Sequence, residues 1–244
     1  MRVPLAIFLI ALVVTVRQAS SQKLKFDPTS AYRGDTIRGF ALLINPQVDR
    51  CKGKATEVRQ EIERQLKNIE GVMPAEQLKA LYKVRIWVEW NGKSGDASMF
   101  HPNADWLRTH GYNPEKAGDI EISDTTKFLK YSSDDQPWLL LHELAHAYHF
   151  HVLGENHPGI EKAFQKACAG GTYDNVRHVD GTKREAYAMK NRQEYFAELT
   201  EAYFGRNDYF PFTRRELELH DPEGYRLLSM LWEAPKKEPA DGRS

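Results

Sequence analysis

Asp135-Gln136-Pro137-Trp138-Leu139-Leu140-Leu141-His142-Glu143-Leu144-Ala145-His146-Ala147-Tyr148-His149-Phe150-His151-Val152-Leu153-Gly154 is the stretch on which the fold turns. Inside it lies H-E-x-x-H, His142 to His146. So short a pattern means little without its context, and here the context is helical. Asp134 and Asp135 are placed to cap a start, and Pro137 suits a first turn. Leu140, Leu144 and Ala147 recur at helical spacing, and Gly154 is a natural stop. On a helix, residues four apart share a face, so His142 and His146 project together. Two imidazoles so placed suit one Zn²⁺ at about 2.0–2.1 Å from each. Glu143 stands beside the first ligand, where it can act on a metal-bound water without being a ligand itself. The competing reading is a core helix with two hydrogen-bonded histidines. A carboxylate between them on a leucine-rich helix argues against it, because burying that charge without a role is costly.

His149 continues the same face, but about 10.5 Å along the axis from His142, too far to share one tetrahedral ion with it. It reads as a rim or supporting residue. A longer zinc pattern would need Gly at 149 and His at 152, whereas the chain has His149 and Val152, so the third ligand must come from elsewhere.

Outward from this helix, the chain starts Met1-Arg2 and runs through apolar residues 3–14 to Ala19-Ser20-Ser21. That is the layout of a signal peptide over 1–21, with an uncleaved anchor as the alternative. The expectation is an exported protein without stable membrane insertion after cleavage. Lys and Arg number 34, as do Asp and Glu, so the formal charge cancels and a nucleic-acid partner is not expected. Cys51 and Cys168 allow one disulfide in an oxidising compartment, or two free thiols. Residues 22–233 are expected to form one domain, followed by a disordered tail, 234–244.

Within that domain, 36–48 reads as a strand, and 54–70 as an amphipathic helix with Val58, Ile62, Leu66 and Ile69 in one stripe. Pro74 opens a short helix to about Tyr82. Alternation over 84–90 and again over 119–123 predicts two more strands, the second with a possible use as a peptide-pairing edge beside the metal. Helices are expected at 104–109, 158–169, 184–204 and 213–232. The Gly-bounded loop between the second and third of these carries His178, which either lines the cleft or is simply exposed.

On the 184–204 segment Tyr187, Asn191, Glu194, Glu198 and Glu201 fall at helical offsets along one stripe. Such a stripe is commonly solvated, but a His₂Glu site needs one carboxylate from a second helix. Spacing does not choose between Glu194 and Glu198.

The H-E-L-A-H run combined with Tyr187-Ala188-Met189-Lys190-Asn191-Arg192-Gln193-Glu194-Tyr195-Phe196-Ala197-Glu198 resembles the anthrax lethal factor-like zinc metallopeptidases, on the gluzincin side of the zincins. The resemblance covers roughly residues 118–204 and includes none of the toxin's other domains. It implies that Glu194 is the third ligand, that Tyr187 stabilises the transition state, and that Glu198 supports a ligand histidine. It implies an α+β, zincin-like fold: a small mixed sheet, an active-site helix and a mainly helical C-terminal half. The expected activity is that of a secreted metallopeptidase with one zinc per chain and Glu143 as general base, acting on peptide or protein substrates. Two alternatives stand beside it: an exported binding module of the same fold, and a zinc amidase acting on cell-wall cross-links.

Overall fold

The computed structural model describes residues 26–233 apart from residue 93. The expected signal segment, 1–21, and the expected tail, 234–244, lie outside the described residues. The fold is mixed α+β, with a small mixed sheet and a mainly helical second half.

The sheet begins with a hairpin, β1 (Arg33–Ile37) and β2 (Phe40–Ile44), where the sequence suggested one strand. Arg38 and Gly39 turn the chain with φ of 49° and 85°. Two successive positive φ values are what a two-residue hairpin of matching twist requires. Arg-Gly is a weaker sequence signal for it than Asn-Gly, which is why the break goes unseen. Asn45 then caps α1 (Pro46–Arg50), which leads into the long α2 (Lys52–Val72) and the short α3 (Ala75–Leu81). Val58, Ile62, Leu66 and Ile69 of α2 are buried, as their spacing predicts.

Next come β3 (Ile86–Val88), β4 (Met99–Phe100), α4 (Ala104–Thr109) and β5 (Ile120–Ile122). The strand order is β1-β2-β3-β5-β4, with β2, β3 and β5 parallel and β4 antiparallel to β5. β5 is therefore internal. The edge on that side is β4, too short for its periodicity to register in the sequence. β3 is buried on both faces, including Trp87, whose indole N–H donates to Asp119 Oδ2 at 2.9 Å.

A helix the sequence reading lacked, α5 (Thr125–Asp134), is capped by Asp124, whose side chain accepts from the amides of Thr126 and Lys127. Asp134 and Asp135 close this helix and do not cap the next one. The motif helix α6 (Leu139–Tyr148) starts instead from a turn at 136–138, and its Leu140 amide donates to the buried Gln65 Oε1 of α2 at 2.8 Å. The cap comes from another element, which satisfies an end amide that local residues leave open. Every residue of α6 except His146 is buried, His142 and Glu143 included. It continues as a π-helical segment, His149–Leu153, and stops at Gly154 with φ 84°.

The rest is helical apart from one small hairpin. α7 (Pro158–Ala169) leads to β6 (Val176–Arg177) and β7 (Lys183–Arg184), then to α8 (Arg192–Phe204). The expected helix 184–204 is thus shorter: Asn191 is extended, at φ −169° and ψ 172°, and caps α8. The expected helix 213–232 is two, α9 (Arg214–His220) and α10 (Pro222–Trp232). Pro222 cannot donate to continue α9, and Asp221 caps α10 instead. α6 sits between the two halves, touching α2, α3, β4 and β5 on one side and α8 on the other. Trp232 of α10 stacks on Tyr148 at 4.1 Å and on Phe196 at 5.7 Å, tying the last helix to both.

The disulfide reading is corrected. Both thiols are free, with Cys51 at the α1–α2 junction and Cys168 exposed near the end of α7. The Cys168 sulfur lies near Met189 Sδ, at 4.0 Å, and not near Cys51. The two cysteines belong to different halves of the molecule.

Candidate metal centre

His142 and His146 point from one face of α6 toward the first turn of α8. There Glu194 Oε2 stands 3.1 Å from His142 Nε2 and 3.1 Å from His146 Nε2. Glu194 is held by its own helix start, since its amide donates to Asn191 Oδ1 at 2.9 Å. A carboxylate in a first turn is also favoured by the helix dipole.

Protonation shows what the arrangement prefers. Burial works against a charged His142, but hydrogen bonds to Glu194 and Glu201 outweigh it and push the imidazole well above its ordinary value. Burial likewise works against the Glu194 anion, yet the two imidazoles hold its carboxyl far below the usual range. Positive charge belongs between these three atoms, as a proton or as a cation. Donors about 2.0–2.1 Å from a tetrahedral zinc lie about 3.3 Å apart, close to the two 3.1 Å separations from Glu194. Two imidazole nitrogens and one carboxylate oxygen, all within 4.8 Å of one another, are also a zinc-type donor set.

Behind the site, His142 Nδ1 faces Glu201 Oε1 at 2.7 Å, while Glu198 Oε1 is 3.6 Å away. Glu201 Oε1 also accepts from Gln136 Nε2 at 2.8 Å. A proton on Nδ1, shared with a carboxylate, leaves the Nε2 lone pair for the metal side. The close support is therefore Glu201, which the stripe contained but the sequence assigned no role. Glu198 is one turn earlier and stands off. Burial pushes Glu201 up to about 7 against the pull of His142, and burial with the charges of Asp208 and Glu201 pushes Glu198 well up. His142, Glu198 and Glu201 also cluster within 4.8 Å, but this group uses the rear nitrogen that Glu201 already holds.

Glu143 is buried next to His142, and its Oε1 accepts from Ser98 Oγ at 2.8 Å. Ser98 immediately precedes β4, so the edge strand and the candidate base are fixed to each other. No sequence signal marks Ser98. Tyr187 is not on α8 but in a single 3₁₀ turn, Tyr187–Met189, before it. Its ring still arrives 6.5 Å from that of His142, 41% exposed. Its hydroxyl accepts from Lys190 Nζ at 2.5 Å, and Nζ is 3.8 Å from Glu194 Oε1.

His149 is buried, not on the rim, and packs edge-on against Phe196 at 5.4 Å. Burial first, then His146, lowers its pKa to about 4, so it is neutral here. His178 is buried too, with Nε2 3.4 Å from Asp208 Oδ2 and Nδ1 accepting from the Asp180 amide at 3.2 Å. It lines the cleft, the first of the two readings of its loop. That cleft, about 890 Å³, has the donor set in its floor, with Phe100, Phe150, Tyr131 and Tyr209 among its walls. Among the described residues no helix is long and apolar enough to cross a membrane.

No protein-family model, curated protein or solved structure matches the chain.

Proposed function

We propose that the chain is an exported zinc-dependent peptidase with a zincin-like fold, of lethal factor-like type. The observation that carries the reading is the meeting of His142 Nε2, His146 Nε2 and Glu194 Oε2 in the floor of an open cleft, with the Glu143 carboxylate beside them. These three residues would hold one zinc per chain. Bound there, it supplies Lewis-acid polarisation of a carbonyl and acidifies water.

The remaining roles follow from how each side chain is held. Glu143 Oε1 is occupied by Ser98, so Oε2 is the oxygen left to take a proton from the attacking water and return it to the leaving nitrogen. The Tyr187 oxygen accepts from Lys190, which leaves its own proton to be donated to the carbonyl oxygen as charge develops there. Lys190 fixes an otherwise exposed ring in that orientation, with its ammonium also 4.6 Å over the ring. Among the described residues β4 pairs only with β5, and an extended peptide can add to its other side.

The test is chelator-sensitive hydrolysis of a diverse peptide library by purified, zinc-loaded protein. Glu143→Gln is expected to keep its zinc and fold while losing hydrolysis, because Glu143 moves a proton and holds no metal. Failure to take up zinc at neutral pH, or wild-type turnover by Glu143→Gln, would overturn the proposal.

A further inference from the structure

A second pocket, about 410 Å³, lies behind the 178–181 loop, and His178 lines both it and the cleft. Its walls include Arg177 from β6, Arg206 just after α8, and Phe212. The Arg177 guanidinium lies 5.1 Å from the Phe212 ring centroid and that of Arg206 5.9 Å from it. Phe212 itself is buried, and its amide donates to Glu216 Oε2 at 3.0 Å, so the platform is fixed. Glu216 is the one carboxylate in the lining. The oxygen it uses there also meets Thr213 Oγ1 at 3.0 Å, so it answers backbone and hydroxyl and not an arginine.

Among the described residues neither Arg177 nor Arg206 makes an ion pair or side-chain hydrogen bond, unlike Arg184 nearby, which pairs with Asp180 at 3.0 Å. Two guanidiniums within 6 Å of one ring centroid, with no carboxylate partner among the described residues, keep their N–H forks free. Carboxylates and phosphates are the ligands that such forks grip in pairs.

We infer that this pocket is an exosite for an acidic segment of a peptide that also occupies the cleft, with Arg177 and Arg206 holding a carboxylate over Phe212. Two observations favour a peptide over a lone small anion. The pocket is much larger than one carboxylate, and it shares the lining residue His178 with the cleft. The inference rests on the cleft being a peptide site, but binding can be read without turnover.

The experiment titrates fluorescently labelled hexaglutamate into the zinc-loaded full chain at low salt, with hexaglutamine as the neutral comparison. Hexaglutamate should bind and hexaglutamine should not. Arg177→Gln and Arg206→Gln should each weaken binding roughly fivefold, and the double variant more. Arg215→Gln, an exposed arginine of α9 outside the pocket, should leave it unchanged. Unchanged melting temperatures in the variants would show that the fold is intact. The exosite is overturned if hexaglutamate does not bind, or if Arg215→Gln weakens binding as much as the pocket variants. It is also overturned if inorganic phosphate occupies the arginines while hexaglutamate binds no better than hexaglutamine. Hexaglutamate binding without hydrolysis of any peptide keeps the pocket and removes the peptidase.

Discussion

His142 has two nitrogens with two partners, and the partners rank the acidic residues of α8. Glu194 meets Nε2, Glu201 meets Nδ1 at 2.7 Å, and Glu198 stands at 3.6 Å. Glu194→Ala should therefore lose most zinc affinity, since it removes a ligand anion. Glu201→Ala should weaken zinc binding on the order of 10–100-fold, the usual effect of removing a residue that orients a ligand histidine. Glu198→Ala should cost less than Glu201→Ala. Tyr187→Phe should leave affinity near wild type and lower kcat, because its hydroxyl is needed only when charge develops on substrate. Competition against a chromogenic chelator ranks the four. A larger loss in Glu198→Ala than in Glu201→Ala would reverse the assignment of the supporting carboxylate.

At the scale of elements, the centre depends on how α6 and α8 are set against each other. One contact controls this at a distance from the ligands. Gly205 ends α8 against the ring of Trp138, which precedes α6, and a Cβ there would fall 2.3 Å from ring carbons. The indole is large and half-buried, so the helices must part to admit a methyl group. Gly205→Ala should lower stability by about 1–3 kcal/mol, the usual range for overpacking, and reduce zinc affinity as the donors separate. Urea unfolding with parallel metal titration checks both. Wild-type values for both would mean that Trp138 swings aside without cost.

Over the whole molecule, acid stability should depend on a buried charge network in the sheet half. Glu121 of β5 is 1% exposed, with Lys116 Nζ at 2.8 Å and His101 Nε2 at 2.8 Å. Lys116, itself buried, also reaches Glu89 Oε1 at 2.5 Å, which takes a further bond from Tyr32 at 2.5 Å. Burial works against the Glu121 anion, but the hydrogen bond from His101 and the charge of Lys116 win and lower its pKa from 4.5 to about 2. Folding lowers this pKa, so the anion contributes stability that is full above 4.5 and is lost as pH falls toward about 2. The contribution is at most about 3 kcal/mol by linkage. In metal-free protein, the stability difference between wild type and Glu121→Gln should hold constant from pH 6 to about 4.5 and shrink from there to pH 2.5. A difference independent of pH, read by urea unfolding, would mean that Glu121 is not the titrating group.

Local spacing determined a good part of this protein by itself. A period of 3.6 placed His142 and His146 on one face, buried one stripe of α2, and put Glu194, Glu198 and Glu201 along one helix. Such patterns are legible because neighbours in the sequence are neighbours on the surface of an element. What required the tertiary structure lies between residues distant in the chain. Glu201 and His142 are 59 positions apart, Ser98 and Glu143 are 45, and Gln65 and Leu140 are 75. No periodicity records which of several equivalent carboxylates meets a given imidazole, or that a glutamine on one helix caps another. A two-residue edge strand and an Arg-Gly turn are too short to show a period at all. The separation of Cys51 from Cys168 follows in the same way, from packing of two halves around α6 and not from any count of cysteines.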